Sequence, residues 1–165
     1  MMIKKLTKND RLQLENLISV IEARLERHEF WLPIKETAKE HFFDDEWTEF
    51  YGMFDGEQLV GASALFYNEY EYGESLQKIN ACNCKVAEIG RSMVSPEYRG
   101  NNILYQINCH LVEIAKAKGV DLIVSTIHPE NIPSQKSFQK LGMTKECTYT
   151  KSNGYIRDVY VLKLK

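Results

Sequence analysis

The sequence predicts a single mixed α/β domain, and three observations carry that prediction. A strand, helix, strand order runs through residues 84–127, the pattern of a βαβ unit with two parallel strands. Apolar segments on either side of Asp55-Gly56, and again around Asn153-Gly154, read as antiparallel hairpins. Across all 165 residues there is no repeat, low-complexity tract or linker, and a chain of this length buries its apolar surface in one core.

The elements follow in order. Ile3 to Thr7 reads as a first strand, and Asn9 or Asp10 as the cap of a helix whose stripe Leu14, Leu17, Ile18, Ile21 and Leu25 keeps the 3.6-residue period. Pro33 starts a second helix carrying Ile34, Ala38 and Phe42. Phe50 to Phe54 and Leu59 to Tyr67 form the first hairpin, and residues 68–81 are a polar, tyrosine-bearing connection. A longer strand runs from Cys84 to Val94 and stops at Ser95-Pro96. Ile103, Leu104, Ile107, Leu111, Ile114 and Ala115 share one helical face, with Gln106, Asn108, Glu113 and Lys116 opposite and Gly119 closing the helix. The apolar run Val120–Ile127 is a buried strand. Ser134 to Leu141 is a short helix ended by Gly142, and Lys145–Lys151 pairs with Tyr155–Leu164.

Composition narrows the function classes. Charged residues make up 27% and apolar ones 44%, with no apolar run long enough for a membrane span, which excludes disordered, coiled-coil and transmembrane classes. The start, Met-Met-Ile-Lys-Lys-Leu, lacks the apolar core of a signal peptide, so a cytoplasmic location is expected. Cys82, Cys84, Cys109 and Cys147 then read as reduced, packed thiols. A zinc site at Cys82-x-Cys84 would need a second ligand pair that the spacing does not supply, so no metal is expected. A net charge of −2 argues against nucleic acid or a membrane surface as partner. Its distribution is uneven: between Lys39 and Lys78 there is no Lys or Arg but ten acidic residues, from Glu40 to Glu74. Such a stretch is either a solvated face or a surface that attracts a cationic ligand.

The segment Val94-Ser95-Pro96-Glu97-Tyr98-Arg99-Gly100-Asn101-Asn102-Ile103 joins the long strand to the long helix. Free N–H groups of such a loop and helix start, beside an arginine, suit a pyrophosphate. Asn101 and Asn102 tolerate left-handed backbone angles better than most non-glycine residues.

With the strand before it and Asn131-x-x-Ser134-x-x-x-Phe138-x-Lys140-Leu141-Gly142-Met143 after it, this segment resembles the GNAT superfamily of acyl-CoA dependent N-acyltransferases. The likeness spans residues 3–164 and is most specific over 86–143. It implies a single, mostly antiparallel sheet with a central splayed parallel strand pair flanked by helices, and acetyl-CoA as co-substrate. It also assigns cofactor contacts residue by residue. Ser92, Met93 and Val94 match the strand edge that pairs with the pantetheine arm. Arg99, Gly100, Asn101, Asn102, Ile103 and Leu104 match the pyrophosphate loop, Asn131 matches the asparagine that hydrogen-bonds the cofactor, and Ser134 and Phe138 on the following helix are cofactor-binding positions as well. Two departures stand out: Asn102 and Leu104 replace small residues of the family pattern, and Phe138 replaces a tyrosine that protonates the departing thiolate.

Glu88, in the middle of the long strand, is placed like a catalytic glutamate of the family, and an alkylammonium needs such a base before its nitrogen can attack. A solvated glutamate on one strand face, or a partner for Arg91, reads equally well from spacing. His128 reads as a strand-end residue, His110 as solvated, and Tyr67, Tyr70 and Tyr72 as packing or as a pocket wall. Tyr149 and Tyr155 are alternative acids. Two functions follow: an N-acetyltransferase acting by direct attack on a primary amine of a small molecule or peptide, or an acyl-CoA binding module without turnover. The amine is identified only by class, a cationic one being favoured by the acidic stretch. The segment 27–35 and the last hairpin would shape its pocket. Oligomeric state is open, a homodimer included.

Overall fold

The computed structural model describes residues 1–79, 81 and 83–165, with the backbone alone over 69–71. The strands are β1 (Met2–Lys5), β2 (Thr48–Asp55), β3 (Gln58–Phe66), β4 (Val86–Val94), β5 (Leu122–Ile127), β6 (Thr144–Thr150) and β7 (Ile156–Lys163). They form one sheet in the order β1-β2-β3-β4-β5-β7-β6. Among these pairings β4 with β5 is parallel and the rest are antiparallel, as expected. The helices are α1 (Arg11–Ala23), α2 (Glu36–Lys39), α3 (Glu69–Leu76), α4 (Ile103–Ala117) and α5 (Ile132–Lys140).

Two layers cover the sheet. On one face the α4 stripe Ile103, Ile107, Leu111 and Ala115 packs with Tyr51, Val60, Leu65, Ala87, Ile89, Ile123 and Phe138. On the other, Leu14, Leu17, Ile18 and Ile21 of α1 pack on Phe50, Ala62, Ala64, Phe66 and Met93. The β5–β7 half of that second face is covered by Tyr72 and Leu76 of α3, over Leu122, Val124, Val159 and Val161. Gly61 lets α4 sit close, since a Cβ there would lie 2.7 Å from Ile103 Cγ2. Gly119 takes φ +74° and closes α4 as its sequence position predicts.

Several elements differ from the sequence reading. The expected connection over 68–81 contains α3, which has no strong amphipathic pattern. It is pinned instead by tertiary contacts, Tyr72 donating its hydroxyl to the carbonyls of Tyr67 (3.0 Å) and Val86 (3.1 Å). The helix expected from Pro33 shrinks to the single turn of α2, and Phe42 reaches the core from the turn beyond it. The first helical entry is capped by Thr7, with Asp10 reaching back to the Thr7 N–H at 2.8 Å. Asn108 is buried, not on a wet face, and its Oδ1 has no partner among the described residues. His110 is half-buried, edge-on to Tyr51 at 4.9 Å.

Candidate active site

The site begins where β4 and β5 part. They pair only at Val86↔Leu122, Ala87↔Ile123 and Glu88↔Val124. Beyond that row β4 stays with β3, through Gly90↔Ala64, Met93↔Ala62 and Val94↔Gly61, with a register shift opposite Ala62–Ala64. Arg91 sits at this bulge with φ +52°, and the extra residue bends β4 away from β5. The Ser125 hydroxyl donates to Ile89 O (2.7 Å) across the start of the gap. Ser92 shares a 2.7 Å hydrogen bond with Ser63. Met93 packs into the α1 core while Val94 packs on the α4 side. Ser95 N–H donates to Val60 O of β3 at 2.8 Å. Successive N–H groups alternate direction along a strand, so the Val94 N–H points into the gap.

The loop after β4 is a backbone cradle. Gly100 (φ +84°) and Asn102 (φ +57°) are both left-handed. No side chain caps the start of α4, so its first N–H groups stay available to an anion. Asn102 is therefore no obstacle: the position demands a left-handed residue, and asparagine tolerates it. The Asn101 side chain ties the loop together through Tyr98 O (2.9 Å). Arg99 and Gly100 are exposed, and nothing lies within 4 Å of a Cβ built on Gly100. Ile103 is enclosed in the core and Leu104 half-buried, so these two contribute backbone donors while their side chains pack.

On the other lip, Asn131 caps α5 with its Oδ1 accepting from Ser134 N (3.4 Å), leaving its amide nitrogen for a ligand. Phe138 is buried against the α4 core, and its phenyl ring has no proton to donate. Tyr149 does not replace it, because its hydroxyl bonds Ser75 at 2.8 Å under α3. Tyr155 lies beneath the Arg157 guanidinium.

Glu88 faces away from α4, between Ala87 and Ile89 that face toward it. A Cβ on Gly90 would come within 3.1 Å of Glu88 Oε1 and 3.2 Å of the Phe66 ring. The missing side chain at Gly90 thus leaves room for the half-buried carboxylate, directed along the strand toward the gap.

The segment between α1 and α2 straps over this face through side chains that sequence reasoning missed. Arg24 pairs with Glu97 at 3.3 Å, and Arg27 pairs with Glu130. Arg91 donates to the carbonyls of Leu32 and Pro33, and Arg157 donates to Glu29 O at 2.7 Å. His128 packs on Phe30 with ring centroids 5.0 Å apart, and its Nδ1 accepts from Glu130 N at 3.1 Å. Burial first, then the charges of Arg157 and Arg27, hold its pKa below the ordinary histidine value. The signal that could have revealed Arg157 is its phase: it alternates with Val159 and Val161 on β7, a charge in an apolar row.

Three carboxylates of the acidic stretch engage different parts of the molecule. Buried Glu49 is matched by Lys5 (3.0 Å), Lys118 (2.8 Å) and the Tyr67 hydroxyl (2.6 Å), which outweigh its burial and lower its pKa. Asp55 accepts from the Tyr98 hydroxyl, and Glu74 from Ser152 on the last hairpin. Tyr67 and Tyr72 thus serve packing networks, and the Tyr70 side chain lies outside the described residues. The zinc reading rests on Cys82, also outside them; no group of three metal-ligating side chains occurs among the described residues. No helix among them is long and apolar enough to cross a membrane.

The profile of the Acetyltransferase (GNAT) family matches residues 16–143. Among solved structures, an N-acetyltransferase from Staphylococcus aureus Mu50 shares 20% identity, with a TM-score of 0.74 over 99% of this chain and 98% of that one. A ribosomal-protein-alanine N-acetyltransferase from Brucella melitensis shares 15%, with a TM-score of 0.74 over 99% and 100%. A chain of the NatC complex bound to Gag peptide and CoA shares 14%, with a TM-score of 0.74 over 99% and 98%. At such identities the likeness concerns the fold. No curated protein matches the chain.

Proposed function

Because the chain belongs to the acetyltransferase (GNAT) family, we propose that it transfers an acetyl group from acetyl-CoA to a primary amine of a small molecule or peptide, by direct attack in a ternary complex. One observation carries the reading: β4 alone presents a carboxylate, an opened backbone edge and, at its end, a left-handed anion cradle. Acetyl-CoA, when bound, supplies an activated acyl group on a thioester.

The residues divide the work. Arg99 and the N–H groups of Gly100 through Leu104 hold phosphate oxygens, where backbone dipole and guanidinium charge add. Ser92, Met93 and Val94 offer the strand edge to the pantetheine arm, with Asn131, Ser134 and Phe138 as the opposite wall. The Val94 N–H, aimed into the gap, donates to oxygen as negative charge develops on the carbonyl. Glu88 takes the proton from the ammonium, directly or through water, so that nitrogen has a lone pair for attack. Phe138 gives no proton, and a thiolate whose acid has a pKa of about 8.5 departs acceptably without one. A cytoplasmic setting belongs to the same reading.

The buried Phe138 favours one rival, an acyl-CoA binding module with little turnover. Incubating the protein with acetyl-CoA and a panel of amines while measuring released thiol decides between them. Amine-dependent thiol release supports transfer, whereas CoA binding with no release for any amine supports the binding module.

A further inference from the structure

We propose that the acceptor amine carries a carboxylate and that Arg157 receives it, on the same sheet face that presents Glu88. The inference rests on the acetyl-transfer reading and names the acceptor's second group.

Arg157 is 2% exposed, and charges buried that deeply are ordinarily paired with an opposite charge. Here the partners are neutral: Nη1 donates to Ile156 O and Nη2 to Glu29 O, both at 2.7 Å. No carboxylate of the described residues comes within 4.0 Å of it. Arg91 adds a second positive charge nearby, and burial together with that charge lowers the Arg157 pKa. The same chain neutralises buried Glu49 with two lysines and a tyrosine hydroxyl, so the missing anion at Arg157 is a local feature.

Among the described residues nothing accepts a hydrogen bond from the Arg157 Nε, and the Nε and Nη hydrogens along one edge of a guanidinium match a carboxylate side-on.

Placement connects this edge to the chemistry. Val159 and Val161 lie on the α3 side of β7, and Arg157 shares their phase. Glu88 shares that face across β5. The row Glu88↔Val124↔Val161 and the pair Ile127↔Asp158 put Arg157 toward the open end of the parted strands. With strands about 4.8 Å and residues about 3.3 Å apart, two strands across and four residues along put the Arg157 and Glu88 backbones about 16 Å apart, a distance for both side chains and the acceptor together to bridge. A neutral donor would hold the Glu29 carbonyl as well, so the strap does not require a full charge there.

The test is steady-state kinetics with acetyl-CoA on amino acids and dipeptides, each as free acid and as carboxamide. Wild type, Arg157→Gln and Arg157→Lys are compared. Wild type is expected to prefer the free acid by at least about tenfold in kcat/KM. Arg157→Gln, which can still donate to Glu29 O, should abolish the preference, and Arg157→Lys should keep part of it. Acetylation of both forms without preference overturns this inference and leaves acetyl transfer standing. Equal losses for acid and amide in Arg157→Gln reduce Arg157 to an anchor of the strap and also overturn it. Acetylation of no amine at all removes the transfer reading and this inference with it. If Arg157→Gln does not fold, the wild-type acid-to-amide ratio and Arg157→Lys still decide.

Discussion

The two lips of the cleft are built from different materials. The lip after β4 is backbone: left-handed Gly100 and Asn102, an uncapped helix start and a strand edge that has lost its neighbour. The face that presents Glu88 is side chain, with guanidinium groups at 24, 27, 91 and 157 reaching across the sheet to hold a strap. A backbone site tolerates many side-chain replacements and recognises a generic group such as a phosphate. A side-chain site changes with single substitutions, which suits the part that discriminates between acceptors.

The largest expected effect separates chemistry from cofactor binding. Glu88→Gln should lower turnover at neutral pH by about 100-fold, with CoA affinity unchanged by calorimetry, because the carboxylate lies on the sheet face turned away from α4. A loss of CoA affinity would erase the distinction between the lips. Turnover at the wild-type rate would return Glu88 to a solvated strand residue. On the backbone lip a side chain should matter less. Arg99→Ala is expected to raise the CoA dissociation constant about tenfold, or ~1.4 kcal/mol, and Asn102→Gly to leave it intact, since both residues adopt the left-handed angle. Equal affinity for wild type and Arg99→Ala would show that the N–H groups bind phosphate alone.

The same contrast explains what was legible in the sequence. Asp55-Gly56, Asn153-Gly154, the α4 stripe and the 99–104 loop are local patterns, where turn chemistry and helical period act within a few residues. The parallel pair was legible in the strand, helix, strand order of 84–127, whereas the departure of β5 from β4 came through the family resemblance. The strap was illegible because its contacts span long separations: Arg157 to Glu29 is 128 residues and Arg27 to Glu130 is 103. α3 escaped notice because packing beneath it, not propensity, holds it. The acidic run could not be resolved in sequence because charge there says nothing of which surface each carboxylate joins, and Glu49 turns inward to two lysines.

A smaller effect sharpens the boundary at α5. Phe138→Tyr places a hydroxyl in an enclosed apolar site, which should cost about 1–3 kcal/mol of stability where no partner receives it. Turnover should stay within about threefold of wild type. A tenfold rise would show that the para position opens onto the departing thiolate, making the far lip catalytic.

The smallest effect concerns the hinge between the lips, where His128 ends β5. Its Nδ1 accepts the Glu130 N–H, so folding favours the neutral ring, and burial followed by the charges of Arg157 and Arg27 depresses its pKa. The unfolded chain protonates this histidine near pH 6.5 or so, above the folded value. Between those two pH values the unfolded state binds more protons, so stability is full above about pH 6.5 and declines as pH falls below it. The carboxylates with lowered pKa, Glu29, Glu49, Glu97, Asp121 and Glu130, are held below ordinary carboxylate values and stay ionised between about pH 7.5 and 5.5. Melting temperature measured from pH 7.5 to 5.5 should therefore fall for wild type, and His128→Gln, which cannot take up the proton, should flatten the decline. Identical slopes would mean that the charged ring fits beside the two arginines. The strap would then be held by its ion pairs alone, and the side-chain lip would be as indifferent to pH in this range as the backbone lip.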